Sequence, residues 1–88
     1  HHLTRLLAQR LASDQITVNT IAPGPFPSKM MALEFEERQD AYEDANPMGR
    51  VGQPEDMAGI SVFLASRASS WITGQVIAVD GGFSTAPW

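Results

Sequence analysis

Leu3, Leu6, Leu7 and Leu11 fall at i, i+3, i+4 and i+8, a single apolar stripe that predicts an amphipathic helix over the opening dozen residues. Arg5, Gln9 and Arg10 take the other faces, and Ser13-Asp14 ends the pattern. From Ile16 to Ala22 the chain is rich in β-branched residues and mixed in polarity, which predicts a buried strand without clean alternation. Pro23, Pro25 and Pro27 then stand at alternate positions. Periodicity is poor over residues 29–46, where one or two short, mobile helices are expected. The acidic run there (Glu34, Glu36, Glu37, Asp40, Glu43 and Asp44) reads as a solvated face with no metal-site spacing. A Pro- and Gly-punctuated loop, Asn46 to Gln53, leads to Pro54 at the first position of a second helix. Glu55 and Asp56 face the positive end of its dipole, and Met57, Ile60, Phe63 and Leu64 carry it to about Ser66. Trp71 to Gly74 turns into a second strand, Gln75 to Asp80, which Gly81-Gly82 closes. The tail, Phe83 to Trp88, holds two large aromatics, more than a free tail would leave in water.

Strand, helix and strand at this spacing predict a right-handed crossover between parallel strands, hence an α/β fold. Two parallel strands with so few helices leave one face and both edges bare. Either the chain dimerises extensively or it is the carboxyl-terminal part of a larger doubly wound sheet, incomplete alone. The second is expected, because residue 1 already lies within a helical pattern. At 88 residues there is one domain at most.

The alternate prolines carry the candidate chemistry. Each fixes φ, removes a backbone donor and holds the preceding residue extended. Gly24 is the one point where another molecule could approach this backbone without meeting a Cβ. A stiff ledge leaving the carboxyl end of a strand is where open α/β sheets bind ligands, although a Pro-rich loop that only terminates a strand would look the same.

Charge and composition narrow the classes. A net charge of −4 with six Lys and Arg leaves no basic face for a phosphate backbone, so nucleic acid is not expected as a partner. Cysteine is absent, which removes disulfides, thiolate nucleophiles and Cys-based metal sites and suits a cytoplasmic setting. No apolar run approaches the roughly 20 residues that span a bilayer, so no membrane partner is expected. His1 and His2 project about 100° apart on a helix and have no placed carboxylate partner, so no metal site is assigned to them.

Three stretches taken together resemble the C-terminal third of the short-chain dehydrogenase/reductase family, closest in look to its 3-oxoacyl reductase branch. They are Asn19 to Gly24 with Phe26 and Ser28; Pro47 to Ala58; and Phe63 to Ser66 with Ser69 to Gly74 and Val79 to Gly82. The resemblance implies a Rossmann-type oxidoreductase that moves hydride between NADP or NAD and a small carbonyl or alcohol substrate. Pro23, Gly24, Phe26 and Ser28 match positions at the nicotinamide end of the cofactor. There the Phe26 backbone would pair with the carboxamide and the Ser28 hydroxyl would assist. Phe26 stands where the family usually has Val or Ile, and Ser28 where it has Thr. Residues 29–46 match the variable substrate lid, with Met30 and Met31 as candidate substrate contacts. Gly49, Arg50, Gly52 and Asp80-Gly81-Gly82 match structural positions. The implied partners are the remainder of the subunit and further copies in a homodimer or homotetramer. The family's catalytic Ser, its Tyr-x-x-x-Lys pair and its Gly-rich turn have no counterpart here. Tyr42 is the sole tyrosine and has no Lys four residues on. No catalytic residue is therefore assigned, and the 88 residues alone are expected to be inactive. A non-catalytic assembly or docking fragment of the same fold is the alternative.

Overall fold

The computed structural model describes residues 1–25 and 32–85. Helix α1 spans His2–Leu11, strand β1 Thr20–Pro23, helix α2 Ala32–Ala45, helix α3 Pro54–Ala65 and strand β2 Val76–Val79. Single 3₁₀ turns follow at Ala12–Asp14, Arg67–Ser69 and Phe83–Thr85. The chain forms two compact units. One comprises His1–Ala22 and Ala58–Ile77; the other comprises the described residues of Pro23–Met57 and Ala78–Trp88.

In the first unit the 3₁₀ turn after α1 closes on Gln15, a left-handed residue (φ 62°) whose N–H donates to the Ala12 carbonyl at 3.0 Å. The helix buries Thr4 and Ala8, and the Thr4 and Thr20 hydroxyls are hydrogen-bonded to each other. Gly74 is a close-packed position, since a Cβ there would lie 3.5 Å from Ala8 Cβ. The leucine stripe faces the other way. Leu3, Leu6 and Leu7 are 65, 42 and 38% exposed, so the predicted helix is present but its predicted core face is uncovered in this chain.

The first strand is shorter than the expected Ile16 to Ala22, and the reason lies in side chains. The Val18 N–H donates to Thr73 Oγ1 (3.0 Å), Asn19 Nδ2 donates to the Ile72 carbonyl (3.0 Å) and the Gln75 N–H donates to Asn19 Oδ1 (3.1 Å). These bonds replace ladder bonds, so β1 starts only where the Thr20 N–H reaches the Gln75 carbonyl at 2.9 Å. β2 is likewise trimmed to Val76–Val79.

Within the second unit the Gly24 N–H donates to the Val79 carbonyl at 3.0 Å, beside the end of β2. The segment read as one or two short helices is a single 14-residue helix, α2. Its residues explain this. Ala, Leu, Glu, Gln and Arg dominate, with no Gly or Pro, and propensity carries a helix that periodicity does not announce. Gln39 Nε2 also donates to Glu43 Oε1 one turn on, at 3.0 Å.

Candidate functional site at the strand tips

Pro23 ends β1 with its ring exposed to solvent, and Gly24 and Pro25 continue as a half-buried ledge. Two backbone bonds fix its course: Gly24 N–H to Val79, and the Gly52 N–H to the Pro25 carbonyl at 3.0 Å. Prolines on either side carry no N–H, so the amide of Gly24 is the single donor of this tripeptide, and Val79 already takes it.

Gly24 has a packing reason for being glycine. A Cβ built there would sit 2.6 Å from Asp80 Cβ and 2.9 Å from Asp80 Cα. On that side the approaching group is the chain's own backbone, not a ligand. Asp80 in turn folds the end of β2. Its carboxylate accepts from the Gly82 N–H (Oδ1, 3.0 Å) and the Ser84 N–H (Oδ2, 3.0 Å); hydrogen bonding from the Ser84 side chain above all, and from these amides, holds its pKa below the ordinary aspartate value. Gly81 and Gly82 both take positive φ, +63° and +89°. A Cβ on Gly81 would meet Asn46 Oδ1 at 2.5 Å, and one on Gly82 would meet Pro47 Cβ at 3.3 Å.

Asn46, immediately after α2, is 7% exposed. Its Nδ2 donates to the Asp80 carbonyl at 2.8 Å, and its Oδ1 accepts from the Met48 N–H at 2.9 Å. Arg50 meets Asp56 through two nitrogens, Nη1 to Oδ2 at 2.7 Å and Nη2 to Oδ1 at 3.0 Å. The same Asp56 Oδ2 accepts the Gln53 N–H at 2.7 Å, half of a capping box that starts α3. The Arg50 and Gln53 bonds lower the Asp56 pKa to about 2. Between these groups lies a cleft of about 410 Å³, lined among others by Pro25, Asn46, Arg50 and Asp56.

Of the residues singled out in the sequence, the structure brings Pro23 and Gly24 to the strand tip, while Phe26, Ser28, Met30 and Met31 lie outside the described residues. The structural roles read for Arg50 and Asp80-Gly81-Gly82 agree with these contacts. Asn46 was not among the candidates. Its only sequence signal is an amide side chain between a helix and a proline, which marks a cap or turn and not a buried bridge. Among the described residues no cluster of His, Asp or Glu could hold a metal ion, and no helix is long and apolar enough to cross a membrane.

A family model described as enoyl-(acyl carrier protein) reductase matches residues 1–84. This chain belongs to the short-chain dehydrogenase/reductase family. A rhamnolipid-biosynthesis 3-oxoacyl-[acyl-carrier-protein] reductase of Pseudomonas aeruginosa is 46% identical over 85 residues, covering 94% of this chain and 33% of that protein. A galactitol 2-dehydrogenase (L-tagatose-forming) of Cereibacter sphaeroides is 44% identical over 87 residues, covering 96% and 34%. Among solved structures, an RhlG/NADP active-site complex from P. aeruginosa superposes with a TM-score of 0.85 at 44% identity, covering 94% of this chain and 34% of that one. A short-chain type dehydrogenase/reductase from Mycobacterium ulcerans gives 0.87 at 40% identity, covering 96% and 31%. The chain thus spans about a third of the length of the relatives it matches. Its fold is that of part of a Rossmann-type α/β subunit, as the strand–helix–strand reading implied.

Proposed function

We propose that these residues form the carboxyl-terminal segment of one Rossmann-type domain in a cytoplasmic, NAD(P)-dependent oxidoreductase. The enzyme would transfer hydride between the nicotinamide and the carbon of a small carbonyl or alcohol substrate. The observation that carries this reading is the bare ledge at the carboxyl end of β1, held on both sides by backbone bonds to Val79 and Gly52. Its described residues fit one face of a planar ring: Pro23 offers an exposed apolar surface, and no free amide lies beside it to draw water in.

The bound cofactor supplies the hydride; this chain supplies orientation. As the family resemblance implies, the polar contacts to the carboxamide belong to the Phe26 backbone and the Ser28 hydroxyl; the Gly24 amide is paired with Val79. Residues 29–46 form the substrate lid in this reading, with Met30 and Met31 against the substrate. Methionine suits varied apolar groups. The named relatives act on a 3-oxoacyl thioester in one case and a polyol in the other, so the substrate is given as a class. Titration of the full-length protein with NADPH and NADH, followed by fluorescence, tests the reading. Saturable binding of at least one cofactor is expected, weakened severalfold by Ser28→Ala and unchanged by Arg67→Ala. Absence of binding, or equal effects of the two substitutions, overturns it.

The uncovered leucines of α1 favour a second reading, a non-catalytic assembly fragment. An intact mass of 9.6 kDa with no companion polypeptide in purified material would support it. A companion bearing a Gly-rich turn and Tyr-x-x-x-Lys would support the enzyme, as a subunit of a homodimer or homotetramer.

A further inference from the structure

Asn46 joins three segments that the ledge depends on. Through its backbone it closes α2, its N–H donating to Glu43 O at 3.3 Å, and it receives the Gly49 N–H at 2.9 Å. Through Nδ2 it holds the Asp80 carbonyl at 2.8 Å, and through Oδ1 the Met48 amide at 2.9 Å. Asp80 is the residue against which the α-carbon of Gly24 packs, with no room for a methyl group between them. The contact on the other side is equally close, since any Cβ on Gly81 would strike the Asn46 amide. One buried side chain therefore couples the end of the lid helix to the strand turn that backs the ledge, within a single compact unit. An amide is the group that can do this, because one end must donate to a carbonyl while the other accepts from an N–H.

We propose that Asn46 is a positioning residue for the cofactor, setting where the Pro23–Pro25 ledge stands relative to the end of α2. The inference rests on the nicotinamide-ledge reading above. Asn46 does not reach the cofactor itself; it acts through Asp80. Removing its side chain takes one of two donors from the Asp80 carbonyl, which keeps only the Phe83 N–H at 3.2 Å, leaves the Met48 amide without its acceptor and so loosens the turn that Gly24 leans on.

The test is cofactor affinity of the full-length protein, measured with the oxidised cofactor well below the melting temperature, for Asn46→Ala, Asn46→Asp and Ser69→Ala. Ser69 is the control: it is as buried as Asn46, bonds the Leu64 and Ser66 carbonyls at 2.9 and 3.1 Å, and belongs to the other unit. All three variants are expected to melt earlier. Only the Asn46 variants should bind more weakly, Asn46→Ala by about threefold to tenfold, the range one net hydrogen bond spans. Asn46→Asp carries a second signature. Its carboxylate faces the Asp80 carbonyl and repels it where the amide donated, so Asn46→Asp should weaken binding at neutral pH at least as much as Asn46→Ala. Wild-type affinity in the Asn46 variants, or a loss matched by Ser69→Ala, overturns the positioning role while leaving the cofactor reading standing. A wild-type protein that binds neither cofactor overturns both.

Discussion

Gly24→Ala separates two reasons for the same glycine. If Gly24 were needed only for a ligand to come close, alanine would leave stability unchanged and weaken cofactor binding alone. The structure says otherwise: the added methyl would stand 2.6 Å from Asp80 Cβ and 2.9 Å from Asp80 Cα, where ordinary carbon–carbon contact begins near 3.5 Å. The overlap is with backbone and with the root of a side chain, so no rotamer change relieves it. Either β1 or the Asp80 turn must shift by most of an ångström. A shift of β1 would stretch the Gly24–Val79 bond, now 3.0 Å, and a shift of the turn would strain the Asn46–Asp80 bond. Overpacking at a rigid site costs about 1–3 kcal/mol, and the upper half of that range is expected because a hydrogen bond is stretched as well. Urea unfolding of the full-length protein should show a lower midpoint at an unchanged slope, equivalent to about 2–3 kcal/mol. A loss below about 0.5 kcal/mol, the scatter of neutral surface changes, would refute the packing argument.

The Arg50–Asp56 pair should leave a pH signature. Asp56 is held at about 2 against an ordinary 3.8, so its contribution is present above the ordinary value and is lost as pH falls through the folded one. The urea midpoint of wild type minus that of Asp56→Asn should therefore shrink between pH about 5 and about 2, and a difference constant across that window would sink the assignment. On α1, Leu6→Asn should cost full-length protein about 2 kcal/mol or more if the stripe is covered by other parts of the subunit or another copy, as the enzyme reading requires. Unfolding that does not register the change would mean that the face stays in water.

The helices were legible from different signals. α1 and α3 announced themselves by apolar spacing and by Pro54, and their ends fall within a residue or so of expectation. α2 did not, because composition and not periodicity makes it a helix. The late start of β1 depends on Thr73 and Asn19 taking over ladder positions, a long-range exchange that no local pattern reveals. At the ledge, alternate prolines revealed stiffness and direction. They did not reveal that Gly24 leans on Asp80, or that Asn46 stands behind both, because those contacts join residues 34 to 56 positions apart in the chain.

The imino acids have one more effect. Along an extended strand successive amides point to opposite edges, so Gly24 addresses β2 while positions 23 and 25 address the other side. That other side offers no proton at either place. Any strand lying there in a wider sheet would find its last N–H donor at Ile21 and only the Pro23 carbonyl beyond it, so pairing on that edge thins out where the ledge begins.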